Sequence, residues 1–349
     1  MRKGDRFIMK IAKRYLAAVL SFALLLAVPM AFTQEASAAS NKTKISQPVQ
    51  VISTVVNEKG QAETSVTSYS YDGNGLNNIL VYGSGTSVAK TYDKNGYLLS
   101  EKRFDKLLVP NRESIYTLKK NGKPKLLQEF IISKGVSAPE GMTAYTYKNG
   151  KTAATTYASA DGRETRITEF RKNGKLSRIV RTVPDNTYVY TYDKHGNITG
   201  STSTLAVSGK TYTTVKAYKN EYSNGRLVKK TAAKAYSDGQ ILDAGSTVYT
   251  YDNGRLVKKI ATVPDITWNT AAKKYVLNYT DTTTTTYAYK KGGLVKSISS
   301  STVRTTGTAT SAVGAKTTVI KYKKIAVKNR CVNAVRERMA EFNDAYVEF

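Results

Sequence analysis

Tyr249-Thr-Tyr-Asp-Asn-Gly-Arg-Leu-Val-Lys-Lys-Ile260 spells out a hairpin. Alternating aromatic and β-branched residues make an incoming strand, Asp-Asn-Gly reverses the chain, and an outgoing strand alternates apolar with basic or hydroxyl residues. The same grammar recurs from about residue 69 to about residue 298. Full copies read Tyr69-Ser-Tyr-Asp-Gly-Asn-Gly-Leu76, Tyr145-Thr-Tyr-Lys-Asn-Gly-Lys151, Tyr190-Thr-Tyr-Asp-Lys-His-Gly-Asn-Ile198 and Tyr287-Ala-Tyr-Lys-Lys-Gly-Gly-Leu294. Tyr92-Asp-Lys-Asn-Gly-Tyr-Leu98, Phe170-Arg-Lys-Asn-Gly-Lys-Leu176 and Tyr222-Ser-Asn-Gly-Arg-Leu227 keep half of it.

The turn glycines fall at Gly75, Gly96, Gly122, Gly150, Gly174, Gly196, Gly225, Gly254 and Gly293, at spacings of 21 to 39 residues. That is one hairpin plus a variable return loop, the period of a repeat architecture. Glycine takes the positive φ of the turn, and an Asp or Asn before it caps the turn with its own side chain. Both tyrosines of Tyr-x-Tyr project from one face of a strand, so stacked copies build a tyrosine-rich layer. The strands are poor in Leu and Ile; Asp281-Thr-Thr-Thr-Thr-Thr-Tyr-Ala-Tyr289 has high β propensity and little to bury on one face. The expected fold is all-β: repetitive antiparallel β-hairpins forming an elongated, largely single-layer sheet or partial shell, with a short C-terminal helix. An outer-membrane-type barrel competes with it, but Lys229 and Lys230 must lie on opposite faces, against an apolar outer band.

Ahead of the repeats, Arg2, Lys3, Arg6, Lys10, Lys13 and Arg14 precede an uncharged run from Leu16 to Thr33 and the small-residue pattern Ala36-Ser37-Ala38. Residues 1–38 therefore read as a secretory signal peptide, with retention as a membrane anchor the competing reading. Residues 39–50 read as a flexible lead-in, 51–327 as the hairpin region and 328–349 as a C-terminal helix and tail. In that last part Val332, Val335, Met339 and Phe342 recur at helical spacing, an apolar stripe suited to covering the final sheet edge. The 349 residues carry a formal charge of +28; removal of the leader takes six bases and two acids, leaving 48 against 24, a net +24. Such a surface attracts polyanions: wall polymers, acidic polysaccharide, anionic lipid headgroups and, nonspecifically, nucleic acid. The competing role for these lysines is to keep strands soluble and block edge pairing.

The Tyr-x-Tyr-Asp-x-x-Gly-x-Leu pattern, clearest at Tyr190 to Ile198 and Tyr249 to Leu256, resembles the YD repeat of the Rhs and teneurin-like secreted proteins. The resemblance implies long antiparallel sheet and, in the large members, a spiralling shell around a toxin segment, with carbohydrate binding attributed to the repeats. This chain departs from the pattern in its irregular repeat lengths, in copies that lack the Asp, and in having no toxin or self-cleavage core after the last repeat.

Nothing here forms a reaction centre. One His, His195, and one Cys, Cys331, supply no His-Cys pair, zinc site or internal disulfide. The carboxylate pairs Asp161 with Glu164 and Asp238 with Asp243 sit in turns, where acids serve structure. The expectation is a secreted, wall-associated protein that is not an enzyme and carries no cofactor. Tyr147, Tyr192, Tyr251 and Tyr289 would stack on sugar rings while Lys229, Lys258 and Lys296 hold the acidic groups of a polysaccharide or anionic wall polymer. Those tyrosines have packing as their competing role. The alternative function is a structural or matrix component, or a fragment of an Rhs-like toxin-delivery system with no small ligand. No integral membrane span is expected once the leader is removed.

Overall fold

A computed structural model describes residues 41–236 and 240–347. The leader, Asp238 and Phe349 lie outside the described residues. The first ten strands are β1 (Lys42–Asn57), β2 (Ala62–Tyr71), β3 (Asn77–Tyr82), β4 (Ser87–Tyr92), β5 (Leu98–Phe104), β6 (Pro110–Leu118), β7 (Pro124–Ser133), β8 (Val136–Lys148), β9 (Lys151–Ser159) and β10 (Thr165–Phe170). The others are β11 (Leu176–Val183), β12 (Asn186–Tyr192), β13 (Ile198–Val207), β14 (Lys210–Ser223), β15 (Arg226–Tyr236), β16 (Ile241–Asp252), β17 (Arg255–Asn269), β18 (Lys274–Tyr289), β19 (Val295–Thr306) and β20 (Ala309–Lys328). A helix, α1 (Val332–Ala345), follows a single 3-10 turn.

Every strand pairs antiparallel with its neighbours in the chain, as the hairpin grammar requires. The ring then closes: β1 pairs with β20 from Lys42↔Lys328 to Asn57↔Gly314. This corrects the expected open sheet or partial shell, for the fold is a closed barrel of twenty strands. The physical reason lies in the two strands that would have been edges. They run 16 and 20 residues, and left unpaired they would present two long rows of bare backbone N–H and C=O groups, which closure alone removes. Part of the stretch expected as a flexible lead-in is used for this, since β1 begins at Lys42.

All nine pattern turns lie at one rim, because the chain runs up and down without crossing. Their glycines have φ between 73° and 88°. The Asp caps are present as well: Asp72 Oδ1 accepts the backbone N–H groups of Asn74 and Leu76 at 2.9 and 2.8 Å. At the residue that enters each turn, an aromatic in every case but Leu118, the register shifts by one residue, as between Thr250 and Tyr251 or Ala288 and Tyr289. These are β-bulges, which increase local twist and help a sheet curl.

The Tyr-x-Tyr face is the inside. Phe342 and Tyr346, at the end of α1 and just after it, pack with Tyr69 of β2, Tyr289 of β18 and Tyr322 of β20, while Met339 reaches the cluster that holds Tyr92 of β4. Val347 joins Leu227, Tyr249 and Leu256 of β15 to β17. A short helical segment meets side chains from so much of the ring only from within it. Twenty strands spaced ~4.8 Å apart and tilted ~40° make a ring roughly 40 Å across. The helix has 14 residues, hence about 21 Å of length, and spans about half of that width. The C-terminal segment was expected to cover a sheet edge; with no edge left, it covers part of the patterned rim.

Candidate functional site

The tyrosines singled out in the sequence are built into the rim. Tyr251 Oη donates to Leu227 O at 3.0 Å, Tyr289 Oη to Leu256 O at 2.7 Å and Tyr322 Oη to Val295 O at 2.8 Å. In each case the acceptor is the carbonyl just past the turn of the preceding hairpin, so each phenol ties one repeat to the next. Tyr147 Oη makes the equivalent bond to Pro124 O at 2.6 Å. A base lies over several of the same rings: Lys119 over Tyr147 at 4.1 Å, Arg226 over Tyr251 at 5.9 Å and Arg255 over Tyr289 at 5.8 Å from the centroid. Burial pushes the phenols of Tyr147, Tyr192, Tyr251 and Tyr289 above their ordinary range. Packing is therefore the evident role of three of the four, while Tyr192 and Tyr251 also line a cavity.

The structure does not bring the chosen lysines to the tyrosines. In β15 the bulge pairs Tyr222 with Leu227 and Glu221 with Lys229. Leu227 is buried inside, so Lys229 points out of the barrel and Lys230 points in. Lys258 and Lys259 divide the same way in β17. Lys229 and Lys258 are exposed and Lys230 and Lys259 half-buried; Lys296, at the bulge of β19, is exposed. The wall thus stands between Lys229 or Lys258 and the tyrosine rings.

Between the turns of Gly174, Gly196, Gly225 and Gly254 and the end of the C-terminal segment, at Asp344 and Val347, lies a cavity of about 1150 Å³. Its basic lining comes from Lys175, Lys194, Arg226 and Lys230, its rings from Tyr192, Tyr222 and Tyr251, and Asp344 is the acid among its lining residues. One wall is braced by Asp193. The Asp193 carboxylate accepts the Tyr222 hydroxyl and the Asn220 amide at one oxygen, and the backbone N–H groups of His195 and Asn197 at 2.9 and 3.0 Å at the other. Burial works to raise this carboxyl, but those hydrogen bonds outweigh it and hold it below the ordinary aspartate range. Burial and then the carboxylate push the Tyr222 phenol up to about 12. His195 stacks on Tyr222 with centroids 4.4 Å apart, so the lone histidine is part of a packed wall.

Farther along the lumen, charges meet across strands. Lys90 pairs with Glu101 at 2.6 Å, and Arg304 with Asp281 at 2.8 Å. Arg181 grips Glu164 through two nitrogens, at 2.8 and 3.0 Å. Asp161 accepts the Ser159 hydroxyl at 2.6 Å, so each member of that carboxylate pair has a structural partner of its own. The partner of Asp243 in the other pair, Asp238, lies outside the described residues. Among the described residues no group of three His, Cys, Asp or Glu side chains is placed to hold a metal ion. Cys331 is buried, packed against the turns of Leu76 and Gly96, which leaves it unsuited to link two chains.

The lysines that sequence reasoning missed are the inward partners, Lys216, Lys230 and Lys259. A signal for two of them was present, because adjacent lysines in a strand cannot share a face.

No protein-family model matches the chain, and no curated protein sequence does. Among solved structures it is similar to the TcdB2-TccC3-Cdc42 structure, at 13% identity and TM-score 0.34, covering 76% of this chain and 15% of that one. It is also similar to a porin-like protein from Bacteroides uniformis, at 12% identity and TM-score 0.34, covering 79% and 96% of the two chains. A third likeness is to a mutant Rh. blastica porin, at 8% identity and TM-score 0.33, covering 80% and 100%. The chain thus spans a small part of the toxin-complex chain and nearly all of the porin chains. The barrel itself rests on its own strand pairing.

Proposed function

We propose that this is an exported, non-catalytic barrel that acts at the cell surface by binding a polysaccharide or other anionic wall polymer. The observation that carries the reading is the excess of bases at an accessible cavity: among the described residues four basic side chains and three phenol rings line it, against one acid. Rings stack on sugars and ammonium or guanidinium groups hold acidic substituents. The wider charge agrees. The chain has 54 bases and 26 acids, and among the described residues only seven ion pairs form. The test is depletion of the protein from solution by purified cell wall and by soluble acidic polysaccharide, at low and high salt. Retention at low salt that is reversed by high salt is expected; no retention at low salt refutes the reading and favours a structural or Rhs-like role without a ligand.

A second reading, an envelope-inserted barrel, has one observation in its favour. Ile167, Val180, Val189, Thr202 and Val215 stand opposite one another on successive strands and form an uncharged outer row. Three observations weigh against it. Glu169 and Arg178 face outward opposite one another, and beyond them β10 and β11 have two further outward positions each, roughly 15 Å of wall at ~3.3 Å per residue, where a lipid-facing band is ~25 Å tall. The outward residues of β18 and β19 include Thr282, Thr284, Thr286, Ser297, Ser299 and Ser301. The rim tyrosines face the lumen and form no outer girdle. Among the described residues no helix is long and apolar enough to cross a membrane, which says nothing of strands. Flotation with liposomes separates the readings: the protein is expected to stay with the aqueous fraction at high salt, and stable co-flotation there supports insertion.

A further inference from the structure

Among the described residues two lumenal lysines have no counterion. Lys216 of β14 and Lys230 of β15 flank one ring, with Nζ atoms 5.4 and 6.0 Å from the centroid of Tyr218. Neither makes an ion pair or a hydrogen bond among the described residues. Lys216 stands directly opposite Lys234, also on the inner face. Lys230 lines the large cavity at the rim. Lys216 and Lys234 line a second cavity of about 220 Å³ with Tyr188, Tyr190 and Ser203. Burial, then the fields of Lys259 and Lys216, push the Lys230 ammonium below its ordinary range, the response of a cation held among cations.

Such an arrangement costs stability in the empty protein, and an aliphatic side chain at either position would avoid that cost. The cost is offset when a ligand brings negative charge. We propose that Lys216 and Lys230, with the Tyr218 ring between them and Lys259 reinforcing the field, form a lumenal subsite for an oligoanion. Its ligand carries closely spaced phosphate or carboxylate groups on a sugar or polyol chain. The subsite rests on the polymer reading and deepens it: the anionic groups enter through the rim cavity that Lys230 lines and are held inside the wall, while Lys229 and Lys258 face the surroundings. Tyr218 offers a flat apolar surface for a sugar ring at the same depth, and Ser201 and Ser203, on the inner face of the neighbouring strand, offer hydroxyls to a polyol.

The experiment follows the unfolding midpoint of the full chain while sodium tripolyphosphate, or separately a trimer of galacturonate, is titrated at constant ionic strength. The inner double variant Lys216→Met/Lys230→Met is compared with the outer double variant Lys229→Met/Lys258→Met. Wild type and the outer variant are expected to show the same upward shift with at least one oligoanion. The inner variant is expected to start from a higher ligand-free midpoint and to lose about half of the shift or more, as weaker binding of the folded state requires. Which oligoanion shifts the midpoint tells phosphate from carboxylate chemistry. A full shift in the inner variant, or no shift by either oligoanion in wild type, overturns the proposal. Should the double variant not fold, Lys230→Gln provides the same comparison. Wall-polymer retention measured alongside separates the two claims. Retention lost with the oligoanion shift intact in wild type refutes the polymer reading and leaves the subsite standing; retention kept with no shift refutes the subsite alone.

Discussion

The two rims of the barrel are made differently. At the patterned rim all nine turns carry a glycine at positive φ, in five-residue turns such as that of Gly75 or in two-residue Asn-Gly turns such as that of Gly254; phenols bond neighbouring hairpins together, and α1 with its flanking residues covers part of the opening. At the opposite rim the connections vary, and Leu107, Val136, Val207, Ile241 and Leu277 are exposed. Close packing is concentrated where α1 and the end of β20 lie. A Cβ added at Gly75 would stand 2.5 Å from Ala326 O and 2.8 Å from Val327 Cα, whereas one added at Gly209 on the far rim meets nothing within 4 Å. The close contact follows the C-terminal segment and not the rim as such, since a Cβ at Gly150, Gly174 or Gly225 of the patterned rim also meets nothing within 4 Å.

The largest expected effect is at those two glycines, both with φ of 77°. Gly209→Ala should cost about 1 kcal/mol for the left-handed conformation alone. Gly75→Ala should cost about 3 kcal/mol or more, because overpacking against backbone is added. Denaturant midpoints decide it, and equal losses would show that the rims are equivalent. Next is the helix anchor. Val335 is 1% exposed, and Val335→Ala should cost about 2 kcal/mol, while Leu277→Ala at the far rim should change stability by less than about 0.5 kcal/mol. Smaller again is Tyr289→Phe, which removes the bond to Leu256 O and should cost about 1 kcal/mol; Tyr212→Phe, at an exposed position near the far rim, should leave the midpoint unchanged.

The smallest effect is one of pH. Asp193 is held below the ordinary aspartate value of 3.8, so it contributes stability that is fully present above that value and is lost as pH falls through its folded value. Asp193→Asn should lower stability at neutral pH and flatten its decline below pH ~3.8. An unchanged acid limb in the variant would show that the carboxylate does not brace the rim.

Much of the patterned rim was legible in the sequence, because an αL glycine preceded by Asp or Asn between alternating strands has a local physical cause. The shared face of Tyr249 and Tyr251 was legible for the same reason, since alternation is local too. Closure was not. It depends on pairs such as Val51 with Ile320, and no local signal tells a strand which partner it meets some 270 positions away. The lysine faces were hidden by the bulge: Val228 is the extra residue that sends Lys229 outward and Lys230 inward, so parity counted through the turn fails. That is why Lys229 and Lys258 fall on the other side of the wall from the tyrosines chosen with them.

Closure of β1 on β20 is tested most directly by a cross-link. Thr54 and Thr317 are direct partners on the outer face, and Thr54→Cys/Thr317→Cys in a Cys331→Ser background can be oxidised at low protein concentration. A closed barrel gives a rapid disulfide within a single chain, seen as faster migration on a non-reducing gel. An open sheet would hold these residues on opposite edges, giving no disulfide or only links between chains, and that outcome would contradict the barrel.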